Sequence, residues 1–226
     1  MLNVISDFAD AFPSVEVIGT DISPIQPTWV PPNLKFEIED CTQEWTFPPS
    51  HFDFIHIRGL VGSIDDWPLL YQRAFTALKP GGWLESYEIS PTWESDDNTV
   101  AEDSAMGRWG PVFVEAGKKI GRSFTIVGDE VQRTGMEEAG FVGIQEKRIK
   151  QPIGSWPKDK RLKDIGTYGQ LVMERDAEGL MMLMAGLSGW TKEDVTVYVA
   201  KLRKEIRSGK HHSYYRQKSL WGQKPE

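Results

Sequence analysis

The run Val15-Glu16-Val17-Ile18-Gly19-Thr20-Asp21 is rich in β-branched residues and ends in a carboxylate. An acid in that place constrains the fold, because open α/β sheets bind ligands beyond the carboxyl ends of their strands. In nucleotide-binding sheets the acid after the second strand accepts from ribose hydroxyls, and a glycine-rich phosphate loop lies about 20 residues earlier. Counting back that far from Asp21 reaches Met1, and the first glycine is Gly19. The expectation is half of a nucleotide site, with the loop that holds the other half missing from these 226 residues.

The rest of the chain supports an α/β reading. Val4, Ile5, Phe8 and Ala11 share a helical face, which Phe12-Pro13-Ser14 ends. The proline-rich stretch from Ser23-Pro24-Ile25-Gln26-Pro27 to Pro31-Pro32-Asn33 predicts a loop. Leu34 to Ile38 and Phe52 to Arg58 read as strands, and Leu69 to Leu78 as a helix opened by Asp66-Trp67-Pro68. Lys79-Pro80-Gly81-Gly82 stops that helix, and Trp83 to Ile89 is the next strand. This alternation predicts a parallel sheet covered by helices. Further on, Ala105 to Ile120 forms an apolar stripe with a kink at Gly110-Pro111, and Val131 to Ala139 a short helix ended by Gly140. Phe141 to Lys150 reads as a strand, Asp164 to Met184 as one or two helices, and Thr191 with Asp194 as a capping box. Ser213 to Gly222 would then close the sheet as an antiparallel strand.

Bulk properties exclude several classes. The net charge of −7 argues against a nucleic-acid surface, which needs a basic stripe. Lys147-Arg148, Lys158 to Lys163 and Lys201 to Arg207 read as solvated faces. The apolar run Leu180 to Leu187 is too short to span a bilayer, and Asp7 and Asp10 stand where a signal peptide would be apolar. A single cysteine, Cys41, fits a reducing compartment, so the expectation is a cytoplasmic or nuclear protein without a membrane partner. The four histidines show no metal-ligand spacing with acids or cysteine.

Several short runs occur in an order that carries a resemblance. They are Val17 to Pro27 (VIGTDISPIQP), Trp29 to Asn33 (WVPPN), Phe52 to Arg58 (FDFIHIR), Gly62 to Pro68 (GSIDDWP) and Leu78 to Trp83 (LKPGGW). The last turn resembles the class I S-adenosylmethionine (SAM)-dependent methyltransferases, and the set as a whole resembles the fungal LaeA-like methyltransferases, linked to the control or tailoring of secondary metabolism. The resemblance covers essentially the whole chain. It implies one domain over residues 1–226, lacking the N-terminal part of the family pattern, with a Rossmann-like sheet of order 3-2-1-4-5-7-6. That sheet is mostly parallel with an antiparallel C-terminal strand, and here its first strand and Gly-x-Gly-x-Gly loop are absent. SAM is the implied cofactor, held weakly or not at all by this chain as written. A small molecule is the implied methyl acceptor. The alternative is a non-catalytic or vestigial relative acting through a regulatory protein partner. A nicotinamide-dependent oxidoreductase shares the acid-ended strand but lacks the Tyr-Lys or His arrangement such chemistry uses.

By that resemblance, Asp21 accepts from the ribose hydroxyls, a task suited to a carboxylate's paired acceptors. Asp40 lies near the adenine and Cys41 beside its ring. The alternatives are an acid starting a turn at Ser23-Pro24 and a strand-end acid capping amides. Arg58, at the end of its strand, faces SAM or substrate. His56 is expected to be a satisfied buried histidine. Asp65-Asp66 reads as a helix N-terminus or an entrance lining. Glu85 and Glu88 read equally as substrate neighbours or as a solvated strand edge. Met181, Met182 and Met184 read as core or as a substrate lid. Methyl transfer from a sulfonium is mostly alignment, so no catalytic base is assigned.

Overall fold

Parallel strand pairs are present in the computed structural model, which describes residues 2–24, 26, 27 and 29–226. Two compact units divide the chain, Met1–Phe47 and Pro48–Glu226. In the first unit, helix α1 (Leu2–Ala11) leads to β1 (Val17–Asp21), which pairs in parallel with β2 (Leu34–Ile38). Asn33 joins these pieces: its side-chain amide is shared among the carbonyls of Ala9, Phe12 and Val15 at 3.1, 3.2 and 2.8 Å. A glycine is required at position 19, where a Cβ would fall 2.6 Å from the Phe36 ring. The loop expected between β1 and β2 is present, although Ile25 and Thr28 lie outside the described residues, as does Met1.

The second unit is built on a four-stranded sheet. Its elements are β3 (Phe52–Arg58), α2 (Trp67–Ala77), β4 (Leu78–Glu94), α3 (Ala105–Ile120), α4 (Val131–Ala139), β5 (Val142–Pro152), α5 (Lys160–Leu187), α6 (Lys192–Arg207) and β6 (Tyr214–Gln223). The strand order is β3-β4-β6-β5. β3 and β4 are parallel, and β6 is antiparallel to both β4 and β5. β5 therefore runs with β3 and β4, and the C-terminal strand alone is reversed. This is the expected α/β, Rossmann-like arrangement. The sequence order 3-2-1-4-5-7-6 appears as its 3-2 portion in the first unit and its 4-5-7-6 portion in the second.

Some boundaries differ from the expectation for physical reasons. β4 starts at Leu78, not at Trp83, because Leu78 already pairs with Phe52. The register then jumps to Phe54 opposite Trp83, which extrudes Lys79 to Gly82; Gly81 takes φ +77° there, where a side chain would be strained. α5 is one helix in spite of its glycines. Gly166 is a packing contact, since a Cβ would lie 2.1 Å from the Gly154 carbonyl oxygen.

One face of the sheet packs on α2 and α4, where Leu84, Ser86 and Glu88 of β4 alternate inward, all buried. A separate core joins α3, α5 and α6. Trp93, Trp109, Phe113 and Phe124 stack through it in sequence, with ring centroids 5.7, 5.0 and 5.6 Å apart. Met181, Val199 and Leu202 complete it. Met181 is thus a core residue.

The start of α3 is fixed in two ways. Ser104 Oγ accepts from the Gly107 amide, and the Glu205 carboxylate on α6 accepts from the Ala105 and Met106 amides at 2.9 and 2.8 Å. Charge-assisted bonds to helix-end amides are worth about 1.5–3 kcal/mol. Glu205→Ala should therefore lower the free energy of urea unfolding by about that amount. A loss within error of zero would show that Glu205 does not hold the helix.

Candidate functional site

The carboxyl ends of β1 and β2 bring two of the predicted residues into one region. Asp21 is the last residue of β1 and pairs in register with Ile38, the last of β2. The Glu39 amide donates to the Asp21 carbonyl at 3.1 Å, so the two strand exits stay together for one more residue. Asp40 and Cys41 follow at once. The half-buried Asp21 accepts the Ser23 amide at its Oδ1, 2.9 Å away, which folds the chain into a turn beyond the strand. A carboxylate has two acceptor oxygens, and the Ser23 amide engages Oδ1. Asp40 Oδ1 accepts both the amide and the hydroxyl of Thr42, at 2.9 and 2.7 Å. Both acids thus serve the turn roles that were the alternatives to ligand binding. Cys41 is half-buried, and its carbonyl accepts from the Trp45 indole at 3.1 Å.

In the second unit Arg58 ends β3. Its guanidinium lies over the Tyr87 ring, 5.0 Å from the centroid. A stacked cation of this kind is pre-oriented, with its edges available to an anion. The chain then turns at Gly59, where φ is +69°, into the segment Leu60-Val61-Gly62. This segment is pinned from two sides. Glu88 Oε1 and Oε2 accept the Leu60 and Val61 amides, each at 3.0 Å. Gly62 donates to the Ser123 carbonyl at 3.2 Å and lies so close to Phe124 that a Cβ would reach 2.2 Å from its ring.

Glu88 corrects the sequence reading: it is not part of a solvated strand edge but is fully buried. Its neighbours form a polar layer inside the unit. Tyr71 Oη and Ser86 Oγ are 2.9 Å apart, Gln132 Nε2 donates to Ser86, and Lys218, the register partner of Glu88, donates to Glu130. Gln132 Oε1 is buried without a hydrogen-bond partner among the described residues. Burial raises the Glu88 carboxyl to about 7, against the opposing pull of the Leu60, Val61 and Gly59 amides. The signal for this inward position was the period-two pattern Leu84, Ser86, Glu88 on one strand face.

His56 is also corrected. It is satisfied but not buried: its Nδ1 lies 3.0 Å from Glu85 Oε2 on the other face of the sheet. Ser219 Oγ donates to Glu85 Oε1 at 2.6 Å. The hydrogen bond from His56 holds the Glu85 carboxyl below its ordinary range, with burial opposing. Asp66 caps α2 by accepting from the Leu69 amide, and Asp65 pairs with Arg122 at 3.0 Å, which accounts for the paired acids as a helix entry. Two hollows of the described surface lie elsewhere. One of about 340 Å³ is lined by Asp53, Phe54, Trp83, Glu85 and Trp221, and one of about 330 Å³ by residues that include Pro13, Val15 and Lys35. The first lies at the amino ends of β3 and β4, the second at those of β1 and β2. The carboxyl strand ends, where open α/β sheets bind ligands, are thus separate from these hollows.

Comparison with known proteins fits this geometry. A methyltransferase-domain family profile matches residues 2–146. The chain is 38% identical over 218 residues to the methyltransferase pytC of Aspergillus terreus, covering 96% of this chain and 66% of the relative. It is 35% identical to the secondary metabolism regulator LAE1 of Cochliobolus heterostrophus, covering 92% of this chain and 68% of that protein. The chain thus spans about two thirds of the length of these curated relatives. Among solved structures, the YcgJ protein of Bacillus subtilis is similar in fold, with a TM-score of 0.50 at 14% identity over 97% of this chain and 88% of the other.

The buried Glu88 generates a pH dependence with a defined sign. A raised carboxyl keeps its proton in the folded state where the unfolded chain has released it. Its contribution to stability therefore falls as pH rises from the ordinary 4.5 to about 7. The expected fall is about 3 kcal/mol. Unfolding of the wild type and of Glu88→Gln, compared between these pH values, should show the stability difference declining by that order. Parallel pH profiles for the two proteins would contradict it.

Proposed function

We propose that this chain, which belongs to the methyltransferase family, is the larger part of a SAM-dependent methyltransferase that acts in, or regulates, fungal secondary metabolism. The observation that carries the reading is the pair of acids at the carboxyl ends of two parallel strands, in a chain whose two sheets match the 3-2 and 4-5-7-6 portions of the family order. Similarity to a methyltransferase and to a secondary metabolism regulator supports the biological setting. The profile match over residues 2–146 runs through both units and supports reading them as parts of one domain. A small molecule is the acceptor that we assign, and the compartment is cytoplasmic or nuclear.

The residues fit the donor in part. Asp21 supplies paired acceptors of the kind that adjacent ribose hydroxyls require. Asp40 supplies an acceptor for an exocyclic amine, and Cys41 a small side chain beside a ring. Arg58, held over Tyr87, is assigned to the ligand side of β3. SAM, when bound, supplies an electrophilic methyl on a sulfonium leaving group. The chain's task is then to orient reactants and exclude water. No side chain is assigned as a base, since only acceptors such as hydroxyls require one. What the fit lacks is a glycine-rich backbone for the methionine portion, because the 226 residues hold no Gly-x-Gly-x-Gly run.

A second reading is favoured by the similarity to LAE1: a regulatory relative acting through a protein partner rather than by turnover. Equilibrium dialysis with labelled SAM distinguishes the components of the proposal. The 226-residue polypeptide should bind more weakly than micromolar, and Asp21→Ala should weaken binding at least about tenfold further, the loss of one charge-assisted bond. Micromolar binding would refute the need for the glycine loop. Unchanged binding by the variant would refute the role of Asp21.

A further inference from the structure

Four side chains of the second unit share the sheet face opposite Glu88, toward the carboxyl ends of β3 and β4. Arg58 and Tyr87 are register partners. Gln217 stands diagonally from Tyr87 on β6, with Tyr215 two residues earlier on the same strand. Three of them form a chain of hydrogen bonds with one polarity. Tyr87 Oη donates to Gln217 Oε1, and Gln217 Nε2 donates to Tyr215 Oη at 3.4 Å. The chain ends there, because the Tyr215 hydroxyl donates to nothing among the described residues. Burial raises the Tyr215 phenol above its ordinary range, with the Gln217 bond and the charge of Arg58 opposing, so the hydroxyl keeps its proton. Arg58 is half-buried and lies over the Tyr87 ring, yet it enters no ion pair or hydrogen bond among the described residues. Glu85, one register pair back on the same face, is already held by His56 and Ser219. By contrast, Arg148, Arg207 and Arg216 are each paired with an acid. A half-buried guanidinium has lost part of its water, and stacking on a ring does not replace its hydrogen bonds. Val61 and Tyr215 pack against the core of α3, α5 and α6, so the unfilled donors lie where the strand ends meet the helices.

We propose that Arg58 and the Tyr215 hydroxyl form a subsite for a carboxylate, so that the methyl acceptor is an organic acid. The choice of ligand follows from the donors. Tyr87 covers one face of the guanidinium, and the in-plane edges of Arg58 then present paired N–H groups that match the two oxygens of a carboxylate. Tyr215 supplies a further donor, and the chain from Tyr87 through Gln217 fixes its polarity: Tyr215 already accepts from Gln217, so its own hydrogen is left for a ligand. These donors select an anion against the neutral amide of the same shape, whose NH2 would meet N–H and O–H groups. Naming the acceptor as the bearer of the carboxylate rests on the methyltransferase reading, whereas the anion subsite does not. A carboxylate also ends the methionine portion of SAM, and the test separates the two sources.

NMR titration of the full 226-residue chain with benzoate, and with benzamide as its neutral isostere, tests the subsite. Benzoate should bind with a Kd of about 1 mM, as suits a ligand of so few atoms, and should shift the side-chain signals of Arg58 and Tyr215. Benzamide should bind at least about tenfold more weakly. Arg58→Gln should abolish that preference. Arg58→Lys keeps the charge but loses the fork, and should lower benzoate affinity several-fold. Tyr215→Phe should lower it roughly fivefold, the loss of one hydrogen bond. The benzoate-to-benzamide ratio is read on variants whose circular dichroism matches the wild type. Equal binding of the two probes, or an undiminished preference in Arg58→Gln, would overturn the subsite. Equimolar methionine should leave the benzoate shifts unchanged, and displacement of benzoate by methionine would overturn the assignment to the acceptor. None of these titrations contains SAM, so they read the subsite apart from cofactor binding.

Discussion

The second unit depends on strand β4 and on what its inward face can bury. β4 is hydrogen-bonded to β3 on one side and to β6 on the other, so it sets the direction of the whole sheet. Its buried positions are not uniformly apolar: Leu84 is followed by Ser86 and Glu88. A buried carboxylate is costly unless its acceptors are filled. Here they are filled by the amides of Leu60 and Val61. The same contact that makes Glu88 tolerable thus fixes the segment that follows β3. Gly62 closes against Phe124 at its far end, so the segment is held between the polar layer and the aromatic cluster of the helices.

Acids in this chain divide by environment rather than by residue type. Asp21 and Asp40 stand at strand ends, half-buried or exposed, and accept from short turns. Glu88 lies in the interior and is driven toward its neutral form. Glu205 is spent on a helix end. Glu85 is shared between His56 and Ser219 on the opposite sheet face. The acids at the carboxyl ends of parallel strands are those suited to a ligand, because the strand ends converge there and the chain leaves by turns.

Much of the fold was legible in the sequence. The strands Val17–Asp21, Leu34–Ile38 and Phe52–Arg58 follow from β-rich runs bounded by proline and polar residues, and the Thr191 capping box marked α6. What escaped were the features that depend on distant contacts. The early start of β4 rests on Phe52, and Gly166 is set by its close approach to Gly154. At the site, the positions of Asp21, Asp40 and Arg58 at strand ends were legible from local pattern. The alternation Leu84, Ser86, Glu88 set Glu88 on the face of Leu84, but that this face is the covered one, and that His56 pairs with Glu85, is decided by distant contacts.

In the proposed function the carboxyl ends of β1 and β2 form the cofactor side of a methyltransferase. Hydrogen–deuterium exchange read by mass spectrometry, with and without millimolar SAM, tests it most directly. Exchange should slow with SAM in peptides spanning Asp21 to Ser23 and Glu39 to Thr42. Protection confined to other segments, with these two unchanged, would contradict it.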